Sequence, residues 1–363
     1  MDYYGENSYF RFSAGCLEST CPERPSVSAA ADAAACLASH FRRFSVGCDG
    51  FSHVHHLYAL CSGISAAGRD VYVYENTDLP SFRFGFPLLS SDCGLFISEN
   101  STLRISVFGA DRLPVSAELL AELMQNRNND ACAEKCGRIT PAASFRSLYT
   151  ANIREKLALP DEGLDAAVSC GTRSVRTLWE YIFTNENSNL VFQVSTDGQT
   201  VNAFSQKHGF IPAEKLLLAY AAMFPDAEGT PVPVYIHFAA DVPGISISRL
   251  SPDELSALPQ ERIRHITDPL YLCAALASDR GRFSEILSQL PEMSSVRRDI
   301  TVTFRDMKPF RRTVPCSGGV VRLTRSGRNR LSLIAQARSA ETASELCTEW
   351  TSKLINTDIE ELR

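Results

Sequence analysis

Short β-type runs alternate with helix-type runs through the first hundred residues, and that alternation narrows the fold more than any other feature of the chain. Residues 26–41 are Ala-rich and helical in texture; residues 44–47 form a short apolar run that enters a turn at Asp49-Gly50. Residues 53–67 read as a second helix, 70–74 (DVYVY) as a strand and 93–97 as the next strand. A strand–helix–strand order of this kind predicts a layered α/β architecture in which helices cover a largely parallel sheet. Further helices are expected at 116–126, 144–157 and 211–224, the last with Pro212 in its first turn. Strands are expected at 165–169, 190–195 and 232–238. Residues 126–140 are polar and read as a linker. Ser251-Pro252-Asp253-Glu254 is a capping box with Pro at the first helical position, and helices follow at 270–278 and 284–289. From Asp299 the texture changes to strands at 299–306, 319–324 and 331–337 and a helix at 340–354, which predicts a separate α+β domain.

The chain has 363 residues, enough for several domains. Its net charge of −6 argues against a broad nucleic-acid footprint. No apolar run approaches the roughly 20 residues of a membrane span, and the start, MDYYGENSYFRF, lacks the pattern of a secretory signal. A cytoplasmic location is the expectation. The twelve cysteines lie scattered in apolar stretches, where Cys behaves as a small buried hydrophobe rather than as part of a disulfide framework.

Within 94–111 the sequence reads GLFISENSTLRISVFGAD. Gly94, Leu95 and Ile97, then Ile105, Val107, Phe108, Gly109, Ala110 and Asp111, form a frame similar to the active-site loop of the α-D-phosphohexomutases (phosphoglucomutases and phosphomannomutases). Members of that family carry G-I-x-I-T-A-S-H-N-P and then G-I-K-x-F-G-A-D-G. The resemblance places Asn100, with Ser101 beside it, where the family has its phosphoryl-carrying Ser, and Ser106 where it has its Lys. Upstream, Val46-Gly47-Cys48-Asp49-Gly50 and the following helix resemble the family's v-G-x-D-x-R-x-S segment.

Downstream loops continue the resemblance in order. The family's metal loop, D-x-D-x-D-R, corresponds to Gln193, Ser195 and Asp197, with Gly198 at the Arg position. Mg²⁺ needs several hard oxygen ligands near octahedral geometry, so one carboxylate with a Gln and a Ser is a poor set. The sugar-reading G-E-x-S-G-H loop has no counterpart, while Asp268 resembles the Asp that opens the next helix. The family's phosphate loop, R-x-S-G-T-E-P, corresponds to Arg325, Ser326, Gly327, Arg328 and Arg330, expected on a loop between two strands and able to hold an anion weakly.

The resemblance implies three α/β domains, the second truncated, and a C-terminal α+β domain. Their expected spans are 1–137, 138–206, 207–298 and 299–363. It also implies a relative without catalysis. Phosphoryl transfer of this type needs a Ser, a metal and a cation near the moving group, and the loops lack all three. No cofactor is then expected, and a phosphosugar or inorganic phosphate remains a weak ligand; a protein partner cannot be named from sequence. The alternative is a divergent active mutase that uses Ser101 with Mg²⁺. A metal site at His53 and His56, or at Cys132 and Cys136, is weaker than the plain readings of a polar helix start and a helical cysteine pair.

Overall fold

In the computed structural model the described residues are 10–13, 15–19, 27–50, 53–99, 103–116, 119–120, 122–123, 135–233, 244–250, 252–290, 294–301, 311–327 and 330–356. The chain divides into two compact units, one formed by 3–234 with 245–287 and the other by 288–363 with 235–244 and the first two residues.

The larger unit is built on a seven-stranded sheet. Its strands are β1 (Phe10–Ser13), β2 (Cys16–Ser19), β3 (Arg43–Cys48), β4 (Asp70–Tyr74), β5 (Cys93–Glu99), β6 (Leu103–Gly109) and β7 (Ile139–Pro141). They lie in the order β1-β2-β6-β5-β3-β4-β7. The strands β5, β3, β4 and β7 are mutually parallel, and β6, β2 and β1 continue the sheet antiparallel. Period-two alternation explains why this sheet is covered on both faces. Val71, Val73, Leu95 and Ile97 pack on one face with the helices Val27–Ala38 and Val54–Ala66. Tyr72, Tyr74 and Phe96 turn to the other face, where Leu79, Phe82 and Phe86 complete an aromatic layer. The two helices meet closely at Gly63, where a Cβ would stand 2.1 Å from the Ala31 carbonyl oxygen.

The helix Leu79–Gly85 is one that the sequence pattern does not suggest. Asp78 caps it: the Oδ1 atom accepts from Ser81 N at 2.8 Å, while Oδ2 accepts from Arg146 Nε at 3.0 Å. The expected linker at 126–140 also differs. Residues 139–141 pair in parallel with Val71–Val73 as the edge strand β7, because the sheet's edge offers unpaired backbone groups there. The helix expected at 116–126 falls largely outside the described residues, as does Cys132.

A second sheet follows, with β8 (Ala167–Cys170), β9 (Leu190–Val194), β10 (Val201–Ser205) and β11 (Gly209–Ile211) in the order β11-β10-β9-β8. Parallel β8 and β9 are joined across the helix Arg173–Glu180, which buries Val175, Leu178 and Trp179. The third sheet is the parallel pair β12 (Thr230–Pro233) and β13 (Ile247–Leu250). Around it stand the helices Ala213–Met223, Gln260–Thr267 and Pro269–Ala277. The strand expected at 232–238 starts two residues earlier, and its second half lies outside the described residues. Among the described residues no helix is long and apolar enough to cross a membrane.

The smaller unit is an antiparallel sheet of β14 (Ser294–Thr301), β15 (Arg311–Cys316), β16 (Gly319–Gly327) and β17 (Arg330–Ala337), ordered β14-β17-β16-β15. The helix Ala340–Asn356 lays Leu346, Cys347, Trp350 and Leu354 on Val321, Leu323, Leu331 and Leu333. Strand β15 is an addition to the strands expected from sequence. It pairs with β16 from Arg311↔Thr324 to Cys316↔Gly319.

Candidate functional site

At the carboxyl ends of parallel strands the chain has to turn, and ligand sites of open α/β sheets gather there. In the larger unit the carboxyl ends of β3 and β5 and those of β8 and β9 border one cleft of about 270 Å³. Asp49 follows β3, His53 stands before the helix Val54–Ala66, and Ser98 and Arg104 face each other across the β5–β6 hairpin. Thr172 and Val175 begin the helix after β8, and Thr196 and Asp197 follow β9. The cleft thus brings together the flanks of the loop that resembles the family's catalytic loop and the last position of the one that resembles its metal loop.

The individual positions depart from the expected chemistry. Strands β5 and β6 stay paired out to Glu99↔Leu103, so the connection is 100–102 rather than a loop over 98–104. Asn100 and Ser101 lie outside the described residues. Ser106 sits within β6, buried, between Cys16 of β2 and Phe96 of β5 in register, and it does not line the cleft. Arg104, two residues earlier and therefore on the same face, supplies a cation at the cleft instead. Its Nε lies 2.8 Å from Cys16 Sγ and 3.9 Å from Glu18 Oε1.

Around Asp197 the loop is a closed turn. Asp197 Oδ1 accepts from Ser195 Oγ at 2.6 Å and from Gln199 N at 3.0 Å, and Ser195 Oγ accepts from Thr200 N at 3.0 Å. Gly198 N donates to Ser195 O at 3.0 Å. Gln193 is exposed on β9, and neither it nor Ser195 lines the cleft. Gly198 is buried with φ +72°, and a Cβ there would approach Pro80 Cγ to 2.8 Å. The arginine that the resemblance places at this position therefore has no room. Among the described residues no three His, Cys, Asp or Glu side chains come together as a metal shell. The three loop positions do not fit a resident Mg²⁺, because two of them stay away from the cleft and the third is held inside its own turn.

Asp49 gives the cleft a second carboxylate. Its Oδ2 accepts from Ser174 Oγ at 2.9 Å, and burial pushes its pKa up despite that bond. Beside it, burial together with the Asp49 and Glu75 charges pushes the Cys48 thiol up to about 12, so Cys48 is no nucleophile at neutral pH. Sequence reasoning reaches Asp49 only as part of a frame, favours a plain helix start for His53, and passes over Arg104. The signal for Arg104 is its same-face spacing with Ser106. His56 is buried and does not line the cleft.

In the smaller unit, Arg325, Ser326 and Gly327 are not on a loop. Strand β16 continues to Gly327 and β17 starts at Arg330, with a register irregularity between Arg325 and Gly327. Hairpin pairing carries the ladder past the expected strand ends, and a bulge of this kind absorbs the extra residue. Arg328 lies outside the described residues.

Solved structures that match this fold include two whose names place them among phosphosugar mutases. A phosphoglucomutase/phosphomannomutase family protein from Burkholderia thailandensis matches with a TM-score of 0.71 at 11% identity, covering 98% of this chain and 97% of the other. The chain has the phosphohexomutase fold. A putative phosphomannomutase from Thermus thermophilus matches with a TM-score of 0.64 at 14% identity, covering 98% of this chain and all of its own. No family model matches the sequence, and no curated protein matches it either. The α/β architecture expected from the loops is thus the observed one, at 11–14% sequence identity.

Proposed function

We propose that this chain is a cytoplasmic phosphohexomutase-like protein that has given up phosphoryl transfer and serves a binding or regulatory role. The observation that carries the reading is the turn at Ser195–Gln199. The position that resembles the last metal carboxylate, Asp197, lies in the cleft, but its Oδ1 is engaged by Ser195 and Gln199 within the turn, and the other two positions of the loop do not line the cleft. Ser106 and Gly198 supply neither ammonium nor guanidinium at the family positions. Losing several groups that act as a unit removes nearly all of the rate, since such contributions are strongly non-additive. The strand ends at Arg325–Arg330 are proposed as a weak phosphate contact, on the resemblance of their sequence alone.

A second reading has one observation in its favour. Arg104 puts a cation in the cleft, and a divergent mutase using Ser101 would need one there. The two readings part in a coupled assay with glucose 1-phosphate and mannose 1-phosphate in the presence of Mg²⁺, joined to intact-mass measurement after glucose 1,6-bisphosphate. The expected result is no turnover in the native protein or in Asn100→Ser, and no added phosphoryl group. Turnover, or a phosphoryl group mapped to Ser101, establishes the enzyme instead.

A further inference from the structure

Away from the cleft, the larger unit encloses three arginine side chains around one small cavity of about 40 Å³. Arg83 comes from the helix Leu79–Gly85, Arg112 from the turn after β6, and Arg264 from the helix Gln260–Thr267. Asp268 is the sole carboxylate among the residues that line it. Three guanidinium groups therefore face one carboxylate. That carboxylate is already committed: Oδ2 accepts from Arg264 Nε at 3.1 Å, and Oδ1 accepts from Tyr149 Oη at 2.5 Å and Tyr271 N at 3.0 Å.

Beyond the Arg264–Asp268 ion pair, the partners that hold the guanidinium groups in place are neutral. Arg83 donates through Nη2 and Nε to the Arg112 carbonyl oxygen at 2.7 and 3.2 Å, and through Nη1 to Gln199 Oε1. Arg264 Nη1 donates to Asn152 Oδ1 at 2.8 Å, and its Nη2 is buried with no hydrogen-bond partner among the described residues. Arg112 stands over the Phe84 ring at 5.4 Å, Arg83 over Phe108 at 5.0 Å and Arg264 over Tyr271 at 4.5 Å. Aromatic faces orient a cation without cancelling its charge. Arg112 also has φ +64°, a backbone conformation costly for a side chain with a Cβ and found where surrounding structure imposes it. Burial, with repulsion from the neighbouring arginines, pulls Arg112 down and Arg83 down to about 10.

Asp111 and Glu261 act on Arg83 and Arg112 from outside the lining, but three partly or fully buried cations around one lining carboxylate are unfavourable unless something negative completes the set. We propose that the cavity binds a small inorganic oxyanion, phosphate in the cell, with Arg112 and Arg264 as direct donors and Arg83 as the charge behind them. Size selects the ligand. The space exceeds the roughly 10–15 Å³ that one water needs, yet leaves no room for a hexose. Arginine's planar fork of donors suits tetrahedral oxyanions. The cavity and the cleft share no lining residue, and the proposal does not rest on the reading of the cleft, although Gln199 of the turn at Asp197 lines the cavity.

The test is calorimetric titration of the full-length protein with inorganic phosphate, at constant ionic strength made up with chloride. Arg112→Asn keeps a residue that tolerates positive φ. Arg264→Gln keeps the bond to Asp268 as a neutral donor. The Arg325→Ala/Arg330→Ala double variant of the smaller unit is the control for a second phosphate contact. The expectation is a saturable site in the native protein, weakened about tenfold or more in Arg112→Asn and in Arg264→Gln and retained in the double variant. No phosphate heat above the chloride background overturns the proposal. So does unchanged affinity in a folded Arg112→Asn, or loss confined to the Arg325→Ala/Arg330→Ala variant.

Discussion

Gly198 decides whether the turn after β9 can regain the arginine of the phosphohexomutase metal loop, and the cost of trying can be worked out. The residue has φ +72°, and an added Cβ would lie 2.8 Å from Pro80 Cγ and 3.2 Å from Val175 Cγ1. Holding a residue with a Cβ in the left-handed region costs about 1–2 kcal/mol. Forcing an extra atom into a packed contact costs about 1–3 kcal/mol more. Against these, a stiffer unfolded chain returns about 0.4–1 kcal/mol. The net expectation for Gly198→Ala is about 2–4 kcal/mol, and Gly198→Arg should cost at least as much. Gly209→Ala provides the control, because Gly209 has φ +65° but nothing within 4 Å of the added Cβ. It should cost only the backbone part, about 1 kcal/mol. Urea unfolding followed by tryptophan fluorescence measures both, with Trp179 buried in the same layer as Val175. Equal costs for the two alanine variants would refute the argument, since the Pro80 contact is what separates them.

Two other perturbations follow from buried charge. His265 Nε2 donates to Pro231 O at 2.8 Å, its ring stacks on Tyr220 at 4.4 Å, and burial pulls its pKa from 6.5 down to about 4. The unfolded chain therefore takes up a proton before the folded one does, so this stability is full above pH 6.5 and is lost as pH falls toward 4. The loss should reach about 3 kcal/mol, and His265→Gln should flatten that part of the profile; a native profile with no fall in this window removes the argument. Arg146→Ala leaves the Asp78 carboxylate, fully buried, with only the Ser81 N–H and should cost about 3 kcal/mol. Adding Asp78→Asn should recover part of that loss in the urea midpoint, whereas strict additivity of the two changes would mean the ion pair is not what holds the helix Leu79–Gly85.

What can be read from sequence follows the physics of each segment. DVYVY is legible to the residue because its alternation satisfies two different layers, aliphatic on one face and aromatic on the other. The helix Leu79–Gly85 escapes the sequence pattern although Asp78 and Pro80 are a helix-start pair; a proline closes a turn as readily as it opens a helix, and seven residues are too few for a periodic signal to decide. Strands β10 and β11 are short, and their inward residues Val201, Ala203 and Ile211 are likewise too few for such a signal. At the site, motif spacing leads to Ser106 and passes over Arg104. Counting residues from a motif says nothing about how far along a strand the cleft begins, and β6 meets the cleft near its start, where it leaves the hairpin with β5.

On the proposed reading, a kept frame and altered catalytic positions go together because the two answer to different constraints. Leu95, Ile97, Ile105 and Val107 are fully buried in the sheet's core, where truncation to Ala costs about 2–5 kcal/mol. Around Asp197, by contrast, the turn at Ser195–Gln199 closes with its own hydrogen bonds. Charge follows the same division. Among the described residues the cleft has two carboxylates, Asp49 and Asp197, against the one guanidinium of Arg104, a balance that disfavours a phosphorylated ligand. The arginine cavity has three guanidinium groups against Asp268. Of these two places, then, the one with the electrostatics to hold an anion is the cavity at Arg112 and Arg264, and a phosphate response of this protein should depend on those side chains before it depends on the cleft.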